Sequence, residues 1–200
     1  MSTQNDDKAV LLKLRELTGA GLMHCKEALA EAGGDLKQAQ DILRRKGLDI
    51  AKKKSSREAK EGQIVSYIHA GGKLGVLVEI NCESDFVARN ELFQTFARDI
   101  AMQIAASHPL YVSPEQIPPA ELEKEKASYL AEVQGKPPAV QEKIIQGKLS
   151  KRFEDVCLLN QKFIKDDSKT VQDYLNETIA RMGENIVVRR FVRFEVGGQS

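Results

Sequence analysis

The residues of this sequence best suited to catalysis or metal binding are its few histidines and cysteines. The histidines are His24, His69 and His108, and the cysteines are Cys25, Cys82 and Cys157. None stands in a metal-binding or redox spacing such as CxxC or HExxH, and the sequence contains no phosphate-binding loop and no nucleophile elbow. We therefore predict a protein that is not an enzyme and needs no metal or cofactor. A Cys–His nucleophile pair formed by distant residues stays open as the alternative.

The segment Glu79–Asn90 is the strongest candidate for a binding function. It leaves a predicted strand and enters a predicted helix within a few residues, and Ser84 and Asp85 are residue types that favour caps and turns. Phe86 and Val87 follow on that turn. Phe86 either packs the strand onto the next helix or projects from polar neighbours as an anchor for a partner's pocket. The residues alone support the two interpretations equally.

Charge and hydropathy exclude several partners. The chain has 30 basic and 29 acidic residues, whereas a general nucleic-acid binder needs a basic surface that displaces counterions. The charged run 52–60 is interpreted as the end of a helix running into a solvated linker, and a nucleic-acid contact is the alternative. No apolar stretch reaches membrane-spanning length, and the N-terminus lacks the apolar segment of a signal peptide. We expect a cytoplasmic protein with no nucleic-acid and no membrane partner.

Helical periodicity dominates the first fifty residues. Three apolar stripes are each followed by glycine: Val10, Leu11, Leu14 and Leu17; Leu22, Cys25, Leu29 and Ala32; Leu36, Ala39, Ile42 and Leu43. Asp35 with Gln38 is predicted to cap the third helix, and Gly47 to follow its end. These signals predict a three-helix domain over residues 1–54 and a linker over 55–60.

The pattern changes to period two after Gly62. Residues 63–69 and 74–80 flank the turn signal 70–73, which predicts a β-hairpin with His69 near its tip. His69 is there either a contact residue or an ordinary turn residue.

Helices follow the hairpin. Asn90 is predicted to cap a helix that stops at His108-Pro109, and two stretches on either side of 135–138 predict a helical hairpin. A further helix ends at Gly183, and alternating residues 188–194 predict a strand that can pair with the β-hairpin. The fold class expected is α+β, with a core domain over 61–200.

Two long segments of the chain resemble the signatures of one family. Residues 79–89 (EINCESDFVAR) and 14–29 (LRELTGAGLMHCKEAL) resemble the two signatures of the bacterial translation elongation factor Ts family. They stand in the family's order over a chain of fitting length, and 167–171 and 193–197 also look similar, so the resemblance covers essentially the whole chain. Ser84 departs from the threonine usual in the family, and His24 departs from a common aspartate.

The resemblance implies a function and the residues that perform it. It implies a guanine-nucleotide exchange factor for the GTPase elongation factor Tu. The residues Ser84, Asp85, Phe86 and Val87 would press on the GTPase beside its magnesium and nucleotide site, with the Phe86 ring wedged between helices.

The resemblance also implies the domain types and further contacts. The N-terminal domain would be of the ubiquitin-associated type and would touch the GTPase through Arg15, Leu22 and Met23. The short length is similar to that of the homodimeric members, whose core sheet forms the dimer interface. The alternative function is a module that binds ubiquitin-like proteins. The Thr-Gly-Ala-Gly loop of this chain at 18–21 disfavours that alternative.

The free energy gained by burying one ring limits how much Phe86 alone can accelerate GDP release. Burying one Phe contributes roughly 1.5–3 kcal/mol, whereas a thousandfold faster GDP release needs about 4 kcal/mol. We therefore expect other surfaces to hold the partner, namely the N-terminal helices and the hairpin tip at His69.

Overall fold

The computed structural model describes residues 3–198, with side chains described from Lys8 onward. The chain divides into two compact units. The first contains the residues up to Gln63 together with Asn81–Phe96 and Asp173–Val187, and the second contains Ile64–Ile80, Ala97–Gln172 and the residues from Val188 onward. The predicted division into 1–54, 55–60 and 61–200 stays a prediction.

Three helices form the N-terminal part of the first unit, as predicted. They are α1 (Thr3–Thr18), α2 (Leu22–Glu31) and α3 (Leu36–Lys54). Their shared core consists of Leu14, Cys25, Ala28, Ala32, Ala39 and Ile42. All of these except Ala28, which lies on α2, belong to the predicted stripes. The predicted cap is confirmed, because the Asp35 carboxylate accepts a hydrogen bond from the Gln38 backbone N–H at 2.7 Å.

The predicted end of α3 at Gly47 is wrong. The helix continues through Gly47 to Lys54, and Gly47 is buried. A Cβ atom placed on Gly47 would lie 3.7 Å from the Cβ of Ala180 in the last helix of the chain. Glycine costs roughly 1 kcal/mol relative to alanine inside a helix, and here it lies where another helix comes close rather than at a helix end.

The β-hairpin and the last strand form a three-stranded sheet. Its strands are β1 (Glu61–Ile68), β2 (Leu74–Cys82) and β5 (Ile186–Glu195), in the order β1–β2–β5. The turn is closed by a hydrogen bond from the Gly72 N–H to the His69 carbonyl at 3.0 Å, and Gly71 and Gly72 both have positive φ, which glycine adopts without strain. The predicted hairpin and the predicted pairing of the last strand are confirmed.

Two helices follow the sheet directly. The single turn α4 (Asp85–Ala88) precedes α5 (Glu91–Ser107). The Asn90 side chain accepts the Leu92 backbone N–H at 2.9 Å, which confirms the predicted cap. The helix ends at Ser107, before His108 with its positive φ of 47°, as predicted.

The helical hairpin is also confirmed. It consists of α6 (Pro119–Glu132) and α7 (Pro138–Val156), each beginning at a proline. Short 3-10 turns over Pro114–Gln116 and Leu158–Asn160 flank the pair.

One small element was not predicted. Lys162–Phe163 and Asp166–Thr170 form a two-stranded antiparallel sheet of β3 and β4. Gln103, fully buried on α5, holds it by accepting the Ile164 N–H at 2.8 Å and donating to the Lys162 carbonyl at 3.1 Å. A buried amide from a distant helix therefore stabilises strands whose own charged sequence has no apolar alternation.

The last helix, α8 (Val171–Met182), ends as predicted at Gly183. Gly183 has a φ of 74° and donates to the Ile179 carbonyl at 2.8 Å, the arrangement expected of a C-terminal glycine cap. The α+β class is confirmed. Within the described residues, none of the helices combines the length and hydropathy that crossing a bilayer requires.

Candidate functional site

The predicted turn at Ser84 is present and capped. The Ser84 hydroxyl oxygen accepts the Val87 backbone N–H at 3.3 Å, and its backbone is extended before the helix begins. Asp85 and Arg89 form an ion pair along the same turn. One four-residue turn has little stability by itself because helix nucleation is unfavourable, so these side-chain contacts determine its conformation.

The turn separates its two apolar residues. Phe86 is 77% exposed, whereas Val87 is 4% exposed. The interpretation of Phe86 as a core plug is therefore wrong, since its ring contributes little to the core. Val87 anchors the turn from the inside, and its role as a partner contact stays a prediction.

Ser84 is held by the carboxylate of Glu184, which follows the last helix α8. Glu184 accepts the Ser84 backbone N–H at 3.0 Å and the Ser84 hydroxyl at 2.6 Å. The neighbouring Asn185 donates its backbone N–H to the Glu83 carboxylate at 2.6 Å. Sequence reasoning missed both residues, because nothing local links positions that are 100 and 102 residues apart.

A buried thiol supports the turn from the strand side. Cys82 donates to the Ser84 carbonyl at 3.1 Å. Burial raises the pKa of this thiol to about 11, with the Glu184 carboxylate as the second cause. The thiol therefore stays protonated at neutral pH and remains a hydrogen-bond donor.

The predicted contacts of the N-terminal domain lie at the loop between α1 and α2. Leu22 and Met23 begin α2 and are 47% and 63% exposed, and Arg15 is exposed on the last turn of α1. Gly19 in this loop has a φ of 63°, and a Cβ atom there would lie 2.5 Å from the Arg181 guanidinium carbon. The exposed apolar pair is therefore displayed by a loop packed against the end of α8.

His69 is exposed at the end of β1 in the second unit. Its Nδ1 lies 3.0 Å from the Tyr67 hydroxyl. Arg15, Leu22, Met23 and the segment 84–87 all belong to the first unit.

The first unit displays exposed apolar side chains at the Ser84 turn and at the start of α2, namely Phe86, Leu22 and Met23. Among the side chains described from Lys8 to Gly198, no group of three or more histidine, cysteine, aspartate or glutamate residues is placed to hold a metal ion. Such an arrangement is suited to binding another macromolecule through an apolar anchor and its charged neighbours.

Comparison with known proteins gives one consistent result. The family model described as Elongation factor TS matches residues 45–198. The chain belongs to the elongation factor Ts family. It is 61% identical over 187 residues to Elongation factor Ts of Geotalea uraniireducens, with 92% of this chain and 87% of that relative covered. It is 60% identical over 186 residues to Elongation factor Ts of Thermodesulfovibrio yellowstonii, with 92% and 93% covered.

Membership of the elongation factor Ts family establishes the activity. The chain is a nucleotide-exchange factor for the GTPase elongation factor Tu and acts in protein synthesis in the cytoplasm. An exchange factor of this family is not an enzyme in the chemical sense, because it accelerates release of a bound nucleotide without changing a covalent bond. The predicted function and GTPase partner are confirmed, and the predicted homodimer stays a prediction.

Proposed function

We propose that the turn of Ser84, Asp85, Phe86 and Val87 is the part of this exchange factor that disturbs the magnesium and nucleotide site of elongation factor Tu. The observation that supports this most is the 77% exposure of Phe86 on a turn that is capped by Ser84 and anchored by Val87. The ring is available to a partner without any unfolding of this chain. Asp85 brings a carboxylate beside it.

The wedge acts together with surfaces that hold the GTPase. Burying the ring contributes roughly 1.5–3 kcal/mol. The coupling between GDP and the exchange factor is reciprocal, so bound GDP weakens the binding of the exchange factor to the GTPase by the same free energy by which the exchange factor weakens GDP binding. Leu22 and Met23 offer exposed apolar contacts, Arg15 offers a charge, and His69 offers a ring at the hairpin tip. These residues supply affinity, whereas Phe86 supplies the change at the nucleotide site.

The test is stopped-flow release of fluorescent GDP from elongation factor Tu at increasing concentrations of exchange factor. We expect Phe86→Ala to lower the maximal release rate by roughly 10- to 100-fold, the equivalent of the lost ring burial. Met23→Ala and His69→Ala should instead raise the half-saturating concentration and leave the maximal rate near that of the wild type.

Leu130→Ala is the matched control, since Leu130 is an exposed apolar residue on α6 outside every proposed contact. It should behave as the wild type. A Phe86→Ala variant with an unchanged maximal rate would refute the wedge. An unchanged half-saturating concentration for both Met23→Ala and His69→Ala would refute the holding surfaces.

We infer further that the core sheet pairs with a second copy of the chain. Apolar side chains are exposed on all three strands and just beyond the last: Ile64, Ile68, Leu77, Val192, Phe194 and Val196. Four of them, Ile68, Leu77, Phe194 and Val196, line one groove of about 440 Å³. A contiguous exposed apolar surface of this kind is typical of an interaction site, and a second copy offers the same strip for a symmetric interface.

A further inference from the structure

The contact between Glu184 and Ser84 does more than join two segments. Ser84 has one hydroxyl hydrogen, which points to Glu184 at 2.6 Å, and its oxygen accepts the Val87 N–H at 3.3 Å. Because the hydrogen is engaged by the carboxylate, the lone pairs are left to face the helix N-terminus. The Glu184 carboxylate thus orients the hydroxyl that caps α4.

The Glu184 carboxylate also fixes the backbone of the capping residue. Its second oxygen accepts the Ser84 N–H at 3.0 Å, so one carboxylate holds both the main chain and the side chain of the same residue. Two hydrogen bonds to an ionised acceptor are individually stronger than neutral ones. Position and orientation of the turn are therefore determined at Ser84.

The position of Glu184 itself is determined by its neighbours. Gly183 accepts a hydrogen bond from the Lys54 ammonium at 2.6 Å, and Asn185 donates its N–H to Glu83 at 2.6 Å. The Asn185 side chain donates to the Arg57 carbonyl at 2.7 Å. Glu184 is consequently held on both sides along the chain.

We propose that Glu184 is a positioning residue for nucleotide exchange, acting through Ser84 to fix the direction in which the α4 turn presents Phe86 to the GTPase. This inference depends on the proposed role of Phe86 as the wedge. Phe86 is largely surrounded by solvent, so the backbone of its turn, rather than packing of its ring, sets its direction.

The rate experiment separates positioning from stability. At saturating concentration, Glu184→Ala should lower the maximal rate of GDP release about tenfold, the effect of losing a charged hydrogen bond. Glu184→Gln should give an intermediate rate, because its amide retains one oxygen acceptor for Ser84. A loss of folded protein alone would shift the half-saturating concentration and leave the maximal rate unchanged.

A double-mutant cycle tests the route through Phe86. In the Phe86→Ala background, Glu184→Ala should change the maximal rate by less than about twofold, because the group it positions is already gone. An equal loss in both backgrounds would overturn the proposal, as would a folded Glu184→Ala variant with the wild-type rate. If Phe86→Ala alone has no effect, the wedge fails instead, so the two failures are distinguishable.

A spectroscopic measurement covers the case in which Glu184→Ala does not fold. The chain contains no tryptophan, so Phe86→Trp introduces a single reporter at the exposed position. Combined with the near-isosteric Glu184→Gln, it should show faster fluorescence anisotropy decay than in the parent. Glu154→Gln, an exposed carboxylate on α7, is the matched control and should leave the decay unchanged. An unchanged decay with Glu184→Gln would contradict the positioning role.

Discussion

Phe86 and Val87 are consecutive apolar residues of α4, and the difference in their exposure comes from the direction of one helical turn. The hydroxyl cap at Ser84 fixes that turn, and burial of Val87 fixes which side faces inward. Exposing Phe86 forgoes the roughly 1.5–3 kcal/mol that its burial would contribute. That free energy becomes available when a partner covers the ring.

The thiols offer a prediction at the same scale. Cys82 and Cys157 are fully buried, and burial raises the pKa of each to about 11. At pH 8 we expect a thiol reagent such as DTNB to react with the native protein only as fast as the chain opens, since both access and thiolate are lacking. The reaction should be followed by absorbance with and without denaturant. Rapid reaction of these two thiols in the native state would contradict the prediction.

The same pKa shifts define a dependence of stability on pH. The pKa of each thiol is higher in the folded than in the unfolded chain, whose value is near 9.0. The stability they contribute is therefore fully present below about pH 9 and is lost as the pH rises through about 11. Replacing both by alanine should flatten the fall in the urea midpoint across this range. An equally steep fall in the variant would assign the loss to other groups.

Sequence reasoning reached the turn at Ser84 but not the orientation of Phe86. Ser and Asp before an apolar pair are a local signal, whereas the inward face of a four-residue helix has too few positions to show a period. Glu184 could not be anticipated at all, because its partner is 100 residues away. Local chemistry thus predicted the element, and tertiary contacts decided what it displays.

At the scale of elements, α3 shows a glycine with two opposed roles. Gly47 weakens α3 because glycine has a low helix propensity. Its missing side chain also leaves room for Ala180 of α8. An added Cβ would make an ordinary contact at 3.7 Å. A longer side chain would force the two helices apart.

This geometry predicts opposite signs for two substitutions. Gly47→Ala should raise the free energy of unfolding by about 0.5–1 kcal/mol, and Gly47→Leu should lower it by about 1–3 kcal/mol through overpacking. Urea unfolding followed by circular dichroism measures both. Gly147 on α7 is the matched control, because a Cβ atom there meets nothing within 4 Å; Gly147→Ala and Gly147→Leu should both stabilise. A stabilising Gly47→Leu would show that the helices are not in contact there.

Caps predicted the element boundaries well, and buried polar contacts explain the element that was missed. Asp35, Asn90 and Gly183 each mark a helix end where sequence reasoning placed it. β3 and β4 gave no such signal, since their short charged segments depend on the buried amide of Gln103. The predicted helix end at Gly47 was wrong because a single sequence does not distinguish a glycine at a helix end from a glycine at a contact between helices.

At the scale of the whole molecule, the exposed strip on the core sheet predicts the oligomeric state. Phe194 is 67% exposed on β5 and lines the groove with Ile68. Phe194→Asp should convert the proposed dimer to a monomer in sedimentation equilibrium at micromolar concentration, because it would place a charge in the proposed apolar interface. Leu130→Asp, at an exposed apolar position on α6, should leave the mass unchanged. A wild-type chain that sediments as a monomer would refute the dimer.

The end of α8 has a consequence for how this protein is made. Gly19 lies against Arg181, Gly47 against Ala180 and Ser84 against Glu184. All three contacts therefore wait for residues 180–184 to leave the ribosome. A nascent chain released early would contain residues 84–87 without the Glu184 carboxylate that orients their turn. Under the proposal for Glu184, an unfinished copy could not act on the elongation machinery that is still synthesising it.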